Sequence, residues 1–443
     1  MKKVVVLGAG LSATYLIKYL EENAASNNWQ LWVADRDIIL VKDKCQLKTT
    51  QSVELDIANE NDVRHLLKDC SLCVSMLPAF LHIKIANICL AMNINLATAS
   101  YLSKELKALS QKVKDKDLIF LNECGLDPGI DHLSAMKLLD EIRANGGTIT
   151  EFESFTGGLI APDCEDNPWK YKFTWNPRNV ILAGSGGAVK FIHNGKYKFV
   201  PYHRVFRRTE IVNIDGYGKY EGYANRDSLK YRETYNLYDV KTMYRGTFRR
   251  PGFSKAWNCF VQLGATDDSY ILENSEEMTY RDFINTFLAY HPTDSVELKL
   301  KQYLRIDQDD VDLWERLEST GIFTDKRVGL KRATPAQILQ KILVDKWSLN
   351  PTDRDMIVMW HNVTYTKNKE IRKVESSLVC EGKDQRYTAM AKTVGLPLAI
   401  ACKLILTDTI QARGCVLPIK KEFYNPIIDE LTHHGIKFIE KFN

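Results

Sequence analysis

The chain has 443 residues, 45% of them hydrophobic and 26% charged, with a formal net charge of +4. That length holds two or three domains, and that balance describes a globular protein with a sizeable core. The charge is too small and too dispersed for a nucleic-acid partner, and no apolar stretch is expected to span a membrane.

The ten cysteines are scattered, several within apolar runs, as reduced core cysteines are. Cys70 and Cys73 have the spacing of a metal or redox pair, but no second pair completes it, so no metal site is expected. The apolar run at the N-terminus breaks at Ser12 without a small-residue cleavage site. A cytoplasmic or matrix-like location is the expectation.

Residues 3–8 read as a buried strand, followed directly by Gly8-Ala9-Gly10-Leu11-Ser12-Ala13 and a helix with Ala13, Leu16, Ile17 and Leu20 on one face. This is the Gly-x-Gly-x-x-Ala dinucleotide fingerprint. Gly8 makes the tight turn, Gly10 admits a pyrophosphate, and small Ala13 lets helix and strand pack closely. A second strand, Leu31 to Ala34, ends at Asp35-Arg36-Asp37. Asp35 suits ribose hydroxyls and NAD, whereas Arg36 suits a 2′-phosphate and NADP. The acidic pair tips the expectation towards NAD.

Strand and helix then alternate. Strands are predicted over Val53–Ile57, Leu72–Leu77, a run ending at Ala97–Tyr101, and Leu118 to Glu123; helices fall over 59–69, 80–92 and 103–114. That alternation means a doubly wound parallel sheet, whose ligands bind beyond the carboxyl ends of its strands. Leu77, Ala99, Ser100, Tyr101, Leu126 and Asp127 all fall on that edge. Asn122 to Leu133 deliver an acid and a histidine to the start of a new helix that stops at Asn145-Gly146-Gly147. Gly125 and Gly129 permit positive φ or close backbone approach there.

From Thr148 the pattern changes to short strands, with a turn expected over Gly157–Pro162 and an aromatic, cationic stretch over Asn167–Trp175. Residues 276–348 read as helices. Met356–Trp360 and Ile371–Val379 read as a hairpin across Lys367-Asn368-Lys369. An apolar helix from Thr388 to Leu406, interrupted at Gly395-Leu396-Pro397, carries small residues suited to packing on the first domain.

Gly125-Leu126-Asp127-Pro128-Gly129-Ile130-Asp131-His132, Thr98-Ala99-Ser100-Tyr101, Asn225-Arg226-Asp227-Ser228 and Arg245-Gly246-Thr247-Phe248-Arg249 together resemble the L-glutamate-forming saccharopine dehydrogenases. So do Tyr171-Lys172-Phe173 and Ala389-Met390-Ala391-Lys392, and the resemblance runs in register along the chain. It implies an α/β fold. A Rossmann-type domain spans 1–125, joined by about 386–415. A mixed-sheet α+β substrate and dimerisation domain covers 126–270 and 350–385, and a small all-helical domain 271–349. It also implies oxidation of saccharopine by NAD or NADP, imine hydrolysis to L-glutamate and 2-aminoadipate 6-semialdehyde, and a homodimer.

On this resemblance Gly8, Gly10, Leu11, Ser12, Asp35, Arg36, Leu77, Ala99, Ser100 and Leu126 are cofactor contacts. Ser100, Tyr101, Asp127, Arg226, Thr247, Phe248 and Arg249 are substrate contacts, with Arg226 and Arg249 each on a carboxylate. Asp127 and Tyr101 are the catalytic candidates. His132, inside a first helical turn, reads as structural. Two other readings stand beside this one: an imine-forming dehydrogenase acting on another amino-acid or carboxylated polyamine conjugate, and a non-catalytic dinucleotide sensor.

Overall fold

The computed structural model describes residues 1–183 and 186–442. Its contacts divide the chain into two compact units. The first comprises Met1–Ile149, Tyr365–Ile371 and Leu378–Glu440; the second is built on Thr150–Thr364 with Arg372–Ser377.

The first unit carries strands β1 (Lys2–Leu7), β2 (Trp29–Asp35), β3 (Gln51–Glu54), β4 (Cys70–Ser75), β5 (Asn95–Thr98) and β6 (Ile119–Leu121). With Gly414–Val416 they form one sheet in the order 414–416, β6, β5, β4, β1, β2, β3, every pairing parallel. The order reverses between β1 and β4, which is where such a sheet opens a crevice for a ligand. Val4 to Leu7 of β1 are fully buried, as a strand covered on both faces requires. Helices α1 (Thr14–Ala24), α2 (Ile38–Lys44), α3 (Glu60–Leu66), α4 (His82–Met92) and α5 (Ile130–Ala144) belong to this unit.

Several expectations are corrected. The third strand is shorter and earlier than Val53–Ile57, because it pairs only where it runs beside Trp32 to Asp35. The first unit extends past residue 125 to take in all of α5, and its C-terminal return runs on to Glu440 rather than stopping near 415. Helix α7 (Ala389–Leu406) is continuous through Gly395 and Pro397. A Cβ on Gly395 would lie 2.8 Å from the Leu16 backbone nitrogen, so this glycine is a close-approach residue and not a helix end. Tertiary packing there outweighs the propensity cost of proline. By length and composition α7 could cross a membrane, contrary to the expectation, but 78% of it is buried inside the protein, as in the core helix of a globular unit.

The second sheet holds β7 (Thr148–Ile160), β8 (Val189–His193), β9 (Lys196–Val200), β10 (Thr209–Ile214), β11 (Gly218–Ala224), β12 (Thr242–Arg249), β13 (Asp355–Lys367) and β14 (Glu370–Glu381). Its main order is β10, β11, β12, β7, β13, β14 and Phe438–Phe442, with β8 and β9 branching from β12. β11 is antiparallel to β12 and β12 is parallel to β7, so the sheet is mixed. The turn joining β13 to β14 has positive φ at Asn368 and Lys369, the geometry that matches strand twist in a two-residue hairpin.

No turn forms at Gly157-Gly158: β7 runs through them to Ile160. Gly157 is instead a packing residue, since a Cβ there would meet Phe248 Cβ at 2.8 Å. Gly222 and Gly246 serve likewise, leaving room for the Phe155 ring, which stacks on Phe248 at 5.2 Å. The helices over 271–349 fall within the second unit. They share its aromatic cluster, in which Trp169 meets Trp347 at 5.0 Å and stacks on Phe260 of α6 (Phe253–Leu263) at 5.9 Å.

Candidate active site

The glycine loop sits at the crevice of the parallel sheet. Gly8 has φ +102° and a Cβ there would lie 3.0 Å from the Met76 backbone, so β1 and the loop after β4 meet as closely as they can. A Cβ on Gly10 would meet nothing within 4 Å, which leaves that backbone open to an approaching phosphate. Leu11 is exposed at the loop tip, Ser12 is half-buried, and Ala13 packs inside.

Asp35 is turned back onto this loop. Its carboxylate accepts from Ala9 N at 2.7 Å and from Asp37 N at 3.0 Å, one bond to each oxygen. Arg36 beside it is exposed. These residues fit a dinucleotide whose ribose end carries a phosphate: the acid closes the loop, and the guanidinium faces solvent.

Segments from the carboxyl ends of β4, β5 and β6 come together beyond the sheet. Glu123, at φ +57°, donates its N–H to Ser100 O at 2.9 Å. Its carboxylate accepts from Leu102 N at 3.0 Å and lies 2.8 Å from His132 Nε2. His132 is fully buried, tying the first turn of α5 to the end of β6. Cys124 is buried beneath, and burial pushes its thiol up.

Between Gly125 and Ile130 the backbone closes on itself. Gly125 N donates to Pro128 O at 2.9 Å, and Ile130 N to Gly125 O at 2.8 Å. A Cβ on Gly125 would meet Ala99 Cβ at 2.9 Å, so Ala99 and this loop are in contact. The half-buried Asp127 accepts from Tyr101 Oη at 3.2 Å. Leu126 is buried, and the half-buried Leu77 packs against the core of the sheet. The structure thus gathers Ser100, Tyr101, Asp127, Ala99 and Leu126 into one constellation.

One residue of this constellation is missing from the sequence reading. His82, at the start of α4, is 2% exposed and lies 2.9 Å from Ser75 Oγ and 2.7 Å from Ser100 Oγ. Burial holds its pKa down at about 4, so the ring is neutral at neutral pH. No motif marks it. The only available signal was its place at the start of the helix after β4, near the crevice edge.

The second unit offers a polar sheet face. Alternation puts Arg245, Thr247 and Arg249 of β12 on one side, with Tyr223 opposite Thr247 and Thr156 beside it. Arg249 is 5% exposed, donates to its neighbour's carbonyl, Phe248 O, at 2.8 Å, and lies over the Tyr171 ring at 4.9 Å. Its Nε and the hydroxyls of Tyr171, Thr156 and Thr174 are buried without hydrogen-bond partners among the described residues. Burial raises the Tyr171 and Tyr223 phenols, against the pull of Arg249, so both stay protonated donors.

Glu221, opposite Arg249 in the register, is engaged elsewhere: it accepts from Gly252 N and Ser254 N at the start of α6. Phe248 is fully buried on the aromatic side, which leaves only its backbone for a ligand. Arg226 has a different setting. It is exposed, in the left-handed region at φ +51°, and its carbonyl accepts from Lys190 N.

A Rossmann-type nucleotide unit coupled in one chain to a mixed sheet with a cationic polar face defines a class of dinucleotide-dependent oxidoreductase fold. Family models match nearly all of it: a saccharopine dehydrogenase NADP binding domain over residues 4–121 and a saccharopine dehydrogenase C-terminal domain over 125–436. The chain belongs to the saccharopine dehydrogenase family.

It is 33% identical over 451 residues to the mitochondrial alpha-aminoadipic semialdehyde synthase of Rattus norvegicus, covering 99% of this chain and 47% of that protein. It is 30% identical to the NADP(+), L-glutamate-forming saccharopine dehydrogenase of Saccharomyces cerevisiae, covering 99% of each. The solved apo structure of a yeast L-Glu-forming saccharopine dehydrogenase superposes with a TM-score of 0.89 at 29% identity, covering all of both chains. The chain thus spans about half the length of the mammalian relatives it matches and nearly all of the yeast one. These descriptions name NADP and give the expectation of NAD no support.

Proposed function

We propose that this chain oxidises saccharopine with NADP and water to L-glutamate and 2-aminoadipate 6-semialdehyde, or runs the reverse reaction. The observation that carries the reading is Arg249, a buried guanidinium over the Tyr171 ring whose Nε, like the Tyr171 hydroxyl, has no hydrogen-bond partner among the described residues. Each such buried group costs about 1–3 kcal/mol while it lacks a partner, and substrate carboxylates supply acceptors for such donors. Saccharopine brings three carboxylates.

In this reading Gly8, Gly10, Leu11 and Ser12 hold the pyrophosphate, and Leu77, Ala99 and Leu126 line the nicotinamide. Bound NADP supplies the hydride acceptor. Arg249 and Arg226 each take a substrate carboxylate, with Thr247 and the backbone at Phe248 completing the cradle. Asp127 holds the substrate amine and moves protons at it and at the hydrolytic water, and the Tyr101 hydroxyl orients that carboxylate. The homodimer implied by the family resemblance belongs to the same proposal and is read by light scattering.

The test is reduction of NADP and NAD, side by side, with saccharopine: turnover with NADP supports the reading, and none with either cofactor ends it. With Asp35 committed to the loop, Arg36 is the residue that meets a 2′-phosphate. Arg36→Ala is therefore expected to cut the preference for NADP over NAD by about tenfold or more, the worth of one charge-assisted bond. Ratios of kcat/KM for the two cofactors check it. Arg249→Met, close in volume, is expected to raise the KM for saccharopine about a hundredfold while the affinity for NADPH holds. An unchanged KM would remove Arg249 from the site.

A further inference from the structure

We propose that His82 is a positioning residue that fixes the polarity of the Ser100 hydroxyl, making it a hydrogen-bond acceptor towards an N–H donor of the bound ligands. This rests on the reading above, in which Ser100 stands where cofactor and substrate meet.

The backbone of Ser100 is fixed from both sides. Its N–H donates to Thr98 Oγ1 at 3.2 Å, and its carbonyl accepts from Glu123 N at 2.9 Å. What remains free is the rotation of the hydroxyl proton. His82 Nε2 lies 2.7 Å from Ser100 Oγ and 3.4 Å from Thr98 Oγ1, while Nδ1 lies 2.9 Å from Ser75 Oγ.

Two hydroxyls therefore converge on Nε2 and one on Nδ1. A ring N–H points well at one acceptor only, whereas a lone pair accepts from two donors. Thr98 Oγ1 already accepts from Ser100 N, so its own proton is available to turn towards Nε2. We assign the proton of the neutral ring to Nδ1, donating to the fully buried Ser75. Nε2 then accepts a hydrogen bond from the Ser100 hydroxyl, and Ser100 presents only lone pairs outwards. Two ligand groups match an acceptor there: the carboxamide N–H of a nicotinamide and the amine of the substrate.

The experiment separates the two ring nitrogens. Glutamine carries its amide out to the position of Nε2, whereas asparagine reaches only that of Nδ1. NADPH binding is titrated by fluorescence, and kcat and KM are measured, for the full chain and for H82Q, H82N, S100A and H82N/S100A. H82N is expected to match S100A, each weakening ligand binding about tenfold, with the double variant no worse than S100A alone. H82Q should stay within about threefold of the unaltered chain.

A cofactor analogue with methyl in place of the carboxamide NH2 distinguishes the two donors. If the carboxamide donates, the S100A effect vanishes with the analogue. If the substrate amine donates, the effect persists and lies in the KM for saccharopine. Either result supports the proposal. Equal losses in H82N and H82Q, additive with S100A, mean a merely structural histidine and overturn it.

The 15N spectrum of the ring in the unliganded chain, assigned by its absence in H82Q, reads the tautomer without any activity. A protonated Nε2 there also overturns the proposal. Should saccharopine give no turnover at all, the functional reading fails while the tautomer and NADPH titrations still decide on His82.

Discussion

Asp127→Asn is expected to lower kcat about a thousandfold, within the roughly 10²–10⁴ that a positioned general acid or base contributes, and to leave NADPH affinity unchanged. Asparagine keeps the shape of the side chain and an oxygen to accept from the Tyr101 hydroxyl, which lies 3.2 Å from Asp127 Oδ1. It cannot accept the proton that leaves the substrate amine or the hydrolytic water. The loss should therefore sit in kcat, because the loop that holds the side chain is closed by backbone bonds from Gly125 and Ile130 that the substitution does not touch. Steady-state kinetics in both directions give the answer, and a kcat within threefold of the unaltered chain would assign the proton to another group.

Gly129→Ala should unfold the chain or cost it more than about 4 kcal/mol, a size reserved for changes that force the backbone itself to move. Gly129 has φ +148°, and a Cβ there would lie 2.0 Å from Gly125 O and 2.1 Å from Gly125 N. Nothing flexible is available to give way. Gly146 provides the comparison, since its φ of +79° is also left-handed but a Cβ there would meet nothing within 4 Å. Gly146→Ala should cost only the conformational term, about 1–2 kcal/mol. Urea midpoints of the two variants separate clash from conformation. Equal losses would mean that the loop over 125–130 can open.

The two substitutions probe one short loop in different ways. Its glycines close the backbone so tightly that the chain between them has a single path, and that path presents the carboxylate of Asp127. A proton-transfer group works only when held within hydrogen-bond reach of its target, so a rigid turn at a strand end suits it better than a longer, looser one.

What could be read along the chain was whatever is encoded by near neighbours. The glycine fingerprint, the alternation of strand and helix to Leu121, and the Asn368-Lys369 hairpin are all local patterns. Their periods and turn residues mean the same thing wherever they occur. The same locality let Ser100, Tyr101 and Asp127 be placed on one sheet edge, because parallel strands put all their carboxyl ends together.

Tertiary structure alone decided the rest. Gly157 and Gly395 look like chain breakers in isolation, and only the facing Phe248 side chain and Leu16 backbone reveal them as contacts. That Asp35 also accepts from Ala9 N of the glycine loop and from Asp37 N could be known only once the loop was folded beside it. His82 meets Ser75 and Ser100 because β4 lies beside β5, a pairing between segments distant in sequence. The burial that strips Arg249 of water comes from rings far along the chain, Tyr171 among them. Spacing along a sequence fixes how a segment folds by itself, whereas desolvation and hydrogen-bond partners depend on which segments close over it.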